Sequence, residues 1–112
     1  GSTILFLGVA YKADIDDARE SPALLVMEEC AKKRANVLYH DPYIPEVVDE
    51  HGTKWTGVAL TDELLESSDC VVFTTAHSCF DVEHIVEKAK LVVDCKNMVK
   101  NISIEDSKIF KL

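Results

Sequence analysis

Two cationic side chains, Lys12 and Arg19, lie in a polar segment between an apolar run and the start of a helix. The apolar run at residues 3–7 is typical of a buried parallel strand. Ser21 followed by Pro22 is the pattern of an N-cap and a first helical residue. A loop that follows a strand and precedes a helix lies at the carboxyl edge of an α/β sheet, where ligands usually bind. The local positive charge therefore predicts an anionic ligand at this edge.

Three aspartates, Asp14, Asp16 and Asp17, lie between these two cations. Clustered carboxylates can hold Mg²⁺, but capping of the helix and orientation of the two cations explain them more simply, and we predict no metal site. Lys12 could instead be a surface lysine that pairs with one of these aspartates. The same alternative applies to Arg19, although a cation at a helix start opposes the helix dipole and so favours an anion nearby.

Further candidate residues follow the other predicted strands. Lys96 comes directly after a buried strand and is expected at the same edge as Lys12. Asp41 ends the second strand, where a dinucleotide-binding fold places an acid for the ribose. The first loop lacks the GxGxxG pattern, however, and Asp41 precedes Pro42, so we favour an Asx turn. His77, after the third strand, is expected in a loop near the rim of the pocket.

The hydrophobic pattern predicts the elements that position these residues. Apolar runs indicate strands at residues 3–7, 37–40, 70–75 and 91–94 and an edge strand at 108–112. Helices are expected over residues 22–33, 61–67 and from Asp81 onward, with Thr61 and Asp81 as caps of the last two. Residues 43–60 are expected to be irregular, with one short strand near 54–56. Because parallel strands need helical crossovers, the predicted fold is a Rossmann-like three-layer α/β/α sandwich with a mainly parallel sheet.

The first helix is predicted to be amphipathic. Four apolar residues at helical spacing are expected to face the core: Ala23, Val26, Met27 and Cys30. Four charged residues are expected on the outer face: Glu28, Glu29, Lys32 and Lys33.

Composition limits the possible functions. At 112 residues the chain is long enough for one domain with its own core, and we interpret Gly1 and Ser2 as a cloning scar before an excised domain at 3–112. A net charge of −8 argues against a nucleic-acid partner but not against a single nucleotide. No apolar run approaches the roughly 18 residues of a membrane span, and no signal peptide is visible, so we predict a cytoplasmic protein without membrane contact. The four cysteines lack zinc-ligand spacing and are expected to be reduced core residues.

Five segments resemble landmarks of the C-terminal domain of the UDP-glucose/GDP-mannose dehydrogenase family. They are GVAYK at 8–12, DIDD at 14–17, RESP at 19–22, YHDPYIP at 39–45 and VDCKN at 93–97. The resemblance extends over residues 3–112, nearly the whole chain. The first two segments are most similar to the branch that oxidises UDP-N-acetyl-hexosamines, such as the UDP-N-acetylglucosamine 6-dehydrogenases.

The resemblance implies roles for individual residues. Tyr11 and Lys12 match a pair that contacts the UDP-sugar in the family, and Arg19 matches an arginine that reaches across the domain interface to NAD. Lys96 lies in a segment that supports substrate binding, where the family commonly has Asp-Thr-Arg-Asn. Lysine keeps the charge of that arginine but loses its bidentate geometry. Cys95 is not the family's catalytic thiol, which belongs to a glycine-rich motif of the N-terminal domain, so this chain is expected to supply no catalytic residue.

The resemblance also implies the activity of a longer enzyme. Family members oxidise a sugar C6 alcohol to a carboxylate in two NAD-dependent hydride transfers, through a thiohemiacetal and a thioester. The isolated chain should bind weakly and be inactive, since the nicotinamide site and the nucleophile belong to an N-terminal domain of the same polypeptide. The full-length enzyme is expected to be a homodimer or larger and to act in polysaccharide biosynthesis. One departure is Arg34, where related sequences often have glycine after the helix; a left-handed backbone there would cost about 1 kcal/mol.

Two functions of other classes remain as alternatives. A phosphoacceptor receiver module also has acids after its first strand and a lysine near its last, although Asp41 follows the second strand here and Tyr11 and Lys12 precede the acids. A non-catalytic interaction domain would show no response of Lys12 or Arg19 to a nucleotide.

Overall fold

A computed structural model describes residues 2–9, 22–49, 51–75, 77–95 and 109–111. Within these residues the chain forms seven strands and three helices. The strands are β1 (Thr3–Leu7), β2 (Asn36–His40), β3 (Glu46–Val48), β4 (Lys54–Thr56), β5 (Cys70–Phe73), β6 (Val92–Asp94) and β7 (Ile109–Lys111). The helices are α1 (Pro22–Lys32), α2 (Asp62–Ser67) and α3 (Val82–Lys88). None of the described helices is long and apolar enough to cross a membrane.

Five of the strands form one parallel sheet in the order β2-β1-β5-β6-β7. The chain moves outward from β1 to β2, then returns past β1 to β5 and continues in the other direction. This reversal creates a topological switch point between β1 and β5, which is where doubly wound folds bind ligands at the carboxyl edge. The predicted Rossmann-like α/β/α sandwich with a mainly parallel sheet is confirmed.

Each face of the sheet has its own core. Alternate strand residues point to opposite faces, so Leu5 and Leu7 pack with α2 and α3, whereas Phe6 packs with α1. The α2–α3 side includes Leu65, Val71, Phe73, Ile85, Val86 and Val92. The α1 side includes Ala23, Leu24, Met27, Tyr39, Ile44 and Val72. Helices therefore cover both faces, and the loops at the carboxyl edge are held by both cores.

The buried face of α1 differs from the predicted stripe. Ala23 and Met27 face the core as expected, but Val26 is 47% exposed and Glu28 is only 9% exposed. The helix is turned so that Glu28 faces the segment between β3 and β4, where its Oε2 lies 3.5 Å from His51 Nε2. The prediction for Val26 and Glu28 was wrong because a later part of the chain covers the Glu28 side.

Helix α1 ends in a Schellman motif with a non-glycine residue at its left-handed position. The Arg34 N–H donates to the Ala31 carbonyl (3.0 Å) and the Ala35 N–H donates to the Cys30 carbonyl (3.1 Å). Arg34 has φ = 68°, which costs an L-residue with a Cβ about 1 kcal/mol more than glycine. The left-handed conformation considered for this position is therefore present.

Residues 43–60 contain more regular structure than the sequence predicted. β4 is confirmed, but it pairs with an unpredicted strand, β3, in an antiparallel hairpin. The carboxylate of Asp49 organises the turn, accepting the N–H groups of His51 and Thr53 and the indole N–H of Trp55 at 2.9–3.0 Å. After β4 the chain returns along β2, where the Val58 N–H donates to the Tyr39 carbonyl (2.9 Å). This segment covers the edge of β2 that would otherwise be open to another strand.

The predicted caps of the two short helices are confirmed. Thr61 Oγ1 accepts the Leu64 N–H at 3.1 Å at the start of α2. Asp81 Oδ1 accepts the His84 N–H at 3.3 Å at the start of α3. Both caps lie at the carboxyl edge of the sheet, because α2 runs back toward the start of β5 and α3 leaves from its end.

Candidate functional site

The predicted ligand-binding residues Tyr11, Lys12, Arg19 and Lys96 lie outside the described residues. The aspartates Asp14, Asp16 and Asp17 do as well. The structure does describe the points from which their segments leave the sheet, which are residues 8–9 after β1 and Cys95 after β6. β5 lies between these strands, so the two points are separated by two strand spacings, roughly 10 Å.

The exit from β1 is fixed by Gly8. Its N–H donates to the His40 carbonyl at 2.9 Å, which extends the pairing with β2 by one residue. Gly8 has φ = +98°, and a Cβ at this position would lie 2.4 Å from Thr75 Cβ. Thr74 Oγ1 donates to the Gly8 carbonyl at 2.5 Å. The turn after β1 therefore needs glycine for both its backbone angle and its close contact with the loop after β5.

Asp41 joins the loops that follow β1, β2 and β5. Its Oδ1 accepts the Tyr43 N–H at 2.8 Å, which confirms the predicted Asx turn. Its Oδ2 accepts the Val9 N–H at 2.8 Å and lies 2.9 Å from His77 Nε2. Since a carboxylate oxygen can only accept hydrogen bonds, the imidazole Nε2–H is the donor. The carboxylate is also completely buried, so a ribose cannot reach it.

His77 lies in the loop after β5, as predicted, but it is fully buried rather than exposed at a rim. Its side chain and that of Asp41 both have 0% exposure. The imidazole packs edge-on against Phe80, with ring centroids 5.5 Å apart, and lies 4.8 Å from the ring of Tyr43. The loop after β5 turns inward because the buried Asp41 carboxylate needs donors there. A role for His77 in direct contact with a ligand does not fit this position.

Three of the four cysteines belong to the core on the α1 side. Cys30, Cys70 and Cys95 are partly buried and pack against it, whereas Cys79 is exposed, which the sequence did not predict. Burial raises the pKa of the Cys70 thiol, and the neighbouring Cys30 and Cys95 raise it further. All four are free thiols. Raised pKa values make thiols less reactive, and Cys70 therefore has the properties of a structural cysteine.

A cleft of about 410 Å³ opens at the carboxyl edge beside the starts of α2 and α3. Its rim includes Asp62 and His84, whose Oδ1 and Nε2 atoms lie 2.7 Å apart, and its floor includes Leu65, Phe80 and Ile85. The hydrogen bond between the two side chains lowers the pKa of Asp62 and raises that of His84. Sequence inspection missed this pair, because the two residues are 22 positions apart on different helices. Their positions in the first turns of two helices packed on one face were the only available signal.

A model of the "UDP-glucose/GDP-mannose dehydrogenase family, UDP binding domain" matches residues 5–101. A UDP-N-acetyl-D-mannosamine dehydrogenase of Methanococcus maripaludis is 30% identical over 106 residues, covering 88% of this chain and 23% of the relative. A putative UDP-glucose 6-dehydrogenase, YtcA, of Bacillus subtilis is 30% identical over 112 residues, covering 94% of this chain and 26% of the relative.

Solved structures show the same similarity. The UDP-N-acetyl-mannosamine dehydrogenase Cap5O from Staphylococcus aureus superposes with a TM-score of 0.74 at 26% identity, over 99% of this chain and 26% of that one. A UDP-D-ManNAc dehydrogenase from Pyrococcus horikoshii gives 0.72 at 25% identity, over 98% of this chain and 25% of that one. The chain thus spans about a quarter of the length of the proteins it matches.

Proposed function

The chain belongs to the UDP-glucose/GDP-mannose dehydrogenase family, and from this premise we propose that it binds the UDP part of a nucleotide sugar. The observation that most supports the proposal is the position of residues 8–9 at the switch point between β1 and β5. The motif with Tyr11 and Lys12 follows directly from this exit. A ligand at the carboxyl edge of a doubly wound sheet is expected at this point.

We propose that Lys12 and Lys96 supply positive charge to the diphosphate and Tyr11 supplies an aromatic contact. A diphosphate needs only a few donors, and residues 8–9 and 95 leave the same edge two strands apart. A single elongated ligand lying across β5 could reach both segments. This placement requires no strongly basic surface, in keeping with the net charge of −8.

The proposed activity is that of a longer NAD-dependent enzyme of which residues 3–112 form one domain. It oxidises the sugar C6 alcohol to a carboxylate, and the chain itself supplies no catalytic residue. The described residues do not fit a dinucleotide site, because the first loop lacks GxGxxG and both oxygens of Asp41 are already hydrogen-bonded. NAD binding is therefore assigned to the rest of the enzyme, with Arg19 as the contribution of this chain.

The substrate class we propose is a UDP-N-acetyl-hexosamine. Relatives named UDP-N-acetyl-D-mannosamine dehydrogenase support this class. A homodimeric or larger assembly, a cytoplasmic location and a role in polysaccharide biosynthesis remain predictions for the full-length enzyme.

The receiver alternative has the same strand order, but the described ends of β2 and β5 carry no accessible phosphoacceptor. Asp41 has no exposed side-chain surface and both of its oxygens accept hydrogen bonds. The end of β5 is followed by Thr74 and Thr75 rather than by an acid. The described residues that end β2 and follow β5 therefore offer no accessible carboxylate to a phosphodonor in the way that a receiver requires.

The test is an amide-resolved NMR titration of this chain with UDP, with ADP as the control nucleotide. Lys12→Ala should abolish the UDP-selective shifts. Lys33→Ala is the matched control, since Lys33 is an exposed lysine after α1, near the opposite edge of the sheet. The affinity could be as weak as about 1 mM, or roughly −4 kcal/mol, so NMR is suitable. Equal shifts with UDP and ADP, or an unaffected Lys12→Ala variant, would contradict the proposal and favour an interaction domain.

A further inference from the structure

We propose that Asp41 and His77 form a positioning pair that fixes where the Tyr11–Lys12 segment leaves the sheet. The inference rests on the proposed function, in which that segment binds UDP. Neither residue contacts the ligand in this proposal. Their role is to hold the main chain at Val9, two residues before Tyr11 and three before Lys12.

On the β2 side of the end of β1, the main chain is held by hydrogen bonds to β2 and to Asp41. Gly8 makes the last main-chain bond to β2, from its N–H to the His40 carbonyl. The next N–H, that of Val9, is bonded instead to the carboxylate of Asp41 at 2.8 Å. The side chain therefore continues the strand pairing by one more residue beyond the end of the ladder. Without it the Val9 N–H, on a residue with 0% exposure, would lose this acceptor.

The loop after β5 holds the end of β1 from the other side. The N–H groups of Thr74 and Thr75 both donate to the Leu7 carbonyl, at 3.1 and 3.2 Å. His77 follows in the same loop and donates to Asp41 from the β5 side. The carboxylate thus ties the loops of β2 and β5 together above the end of β1, which lies between them in the sheet.

Burial also restricts Asp41 and His77. Both side chains are completely buried, and a buried carboxylate is tolerated only when donors satisfy it. Asp41 has such donors in Val9, Tyr43 and His77. Packing around the imidazole by Phe80 and Tyr43 leaves it little freedom to rotate. The pair is therefore a rigid reference point, rather than an exposed ion pair that could exchange partners.

The consequence for binding is geometric. Lys12 is only three residues beyond Val9, so a shift of the main chain at Val9 moves the point from which the Tyr11–Lys12 segment starts. A displacement of about 1 Å is enough to weaken a precisely oriented contact. Loss of the His77 donor should therefore weaken UDP binding even though His77 lies inside the protein.

The experiment compares His77→Leu with His77→Gln in this chain. Leucine keeps the apolar volume but removes the donor, whereas the glutamine amide can still donate to Asp41. The Kd for UDP should rise about tenfold or more in His77→Leu, equivalent to roughly 1.4 kcal/mol, and should return most of the way in His77→Gln. Amide hydrogen exchange at Val9, measured without ligand, should accelerate in the leucine variant and not in the glutamine variant.

The control for general destabilisation is Val86→Ala, which removes buried atoms from α3 in the core on the α2–α3 side of the sheet. This variant should have a lower free energy of unfolding and an unchanged Kd for UDP. Its amide exchange at Val9 should increase only as much as the lower global stability explains. Should His77→Leu fail to fold, Asp41→Asn takes its place. Asparagine keeps the oxygen that accepts the Tyr43 N–H but loses the oxygen that accepts from Val9 and His77. Unchanged UDP binding in folded His77→Leu or Asp41→Asn, or an equal loss in Val86→Ala, would overturn the positioning role alone. If the wild-type chain shows no binding of UDP, the proposed function is overturned as well.

Discussion

Replacing Gly8 by alanine should destabilise the chain far more than the same change at Gly52. The two glycines have similar backbone angles, with φ of +98° and +82°. Their surroundings differ: a Cβ at Gly8 would lie 2.4 Å from Thr75 Cβ and 3.0 Å from Thr75 N, whereas nothing lies within 4 Å of a Cβ at Gly52. The pair therefore separates backbone strain from steric overlap within one protein.

The expected magnitudes follow from these two terms. At Gly52 only the left-handed backbone opposes alanine, by about 1–2 kcal/mol, and the reduced entropy of the unfolded chain offsets about 0.4–1 kcal/mol of it. At Gly8 the same terms apply, and overpacking against Thr75 adds about 1–3 kcal/mol. Because part of that contact is with the Thr75 main chain, a change of side-chain rotamer cannot relieve it. The free energy of unfolding should thus fall by about 1 kcal/mol in Gly52→Ala and by about 2–4 kcal/mol in Gly8→Ala.

Urea unfolding followed by far-UV circular dichroism measures both values. We also expect Gly8→Ala, in its folded fraction, to weaken UDP binding, since it displaces the exit of β1 from the loop after β5. Gly52→Ala should bind UDP as the wild type does. If the two variants lose the same stability within about 0.5 kcal/mol, the close contact at Gly8 has no energetic significance and the reasoning is refuted.

Three other predictions concern local conformation and pH. Arg34→Gly should raise the free energy of unfolding by up to about 1 kcal/mol, whereas Arg34→Ala, which keeps a Cβ at φ = 68°, should not; equal effects in urea unfolding would contradict this. The hydrogen bond from Trp55 lowers the pKa of Asp49, so its stabilisation is present above the ordinary value of about 3.9 and is lost as pH falls through the lower folded value. The Trp55 indole N–H signal should shift in that pH range, and a signal unaffected by Asp49 titration would argue against the bond. The hydrogen bond to Asp62 raises the pKa of His84, so its stabilisation is present below about 6.5 and is lost as pH rises through the folded value; NMR titration should show a lower His84 pKa in Asp62→Asn, and no change would disprove the coupling.

The predictable parts of this fold are those determined by local sequence. Continuous apolar runs identified the strands of the main sheet, and the caps Thr61 and Asp81 fixed the starts of α2 and α3 within a residue. The face of α1 was not predictable in this way, because a glutamate is normally placed toward solvent. Glu28 is nevertheless buried, with its Oε2 3.5 Å from Nε2 of His51, 23 positions later. Strand β3 was missed for a similar reason, since three residues have no clear period until β4 pairs with them.

At the site, the side chain of Asp41 makes one contact that the local sequence predicts and two that it does not. Oδ1 of Asp41 bonds two residues ahead, which the Asp-Pro sequence predicts as an Asx turn. Oδ2 bonds 32 positions back to Val9 and 36 positions ahead to His77, which no local pattern indicates. Strand order supplies the missing information: once β1 lies between β2 and β5, the polar residues that end β2 and follow β5 must meet above the end of β1. In a doubly wound chain, an acid can follow one strand while a hydrogen-bond donor follows the strand two places away in the sheet. Such a pair is therefore a candidate for holding the loop of the strand between them, and this structural role should be weighed before a ligand-binding role.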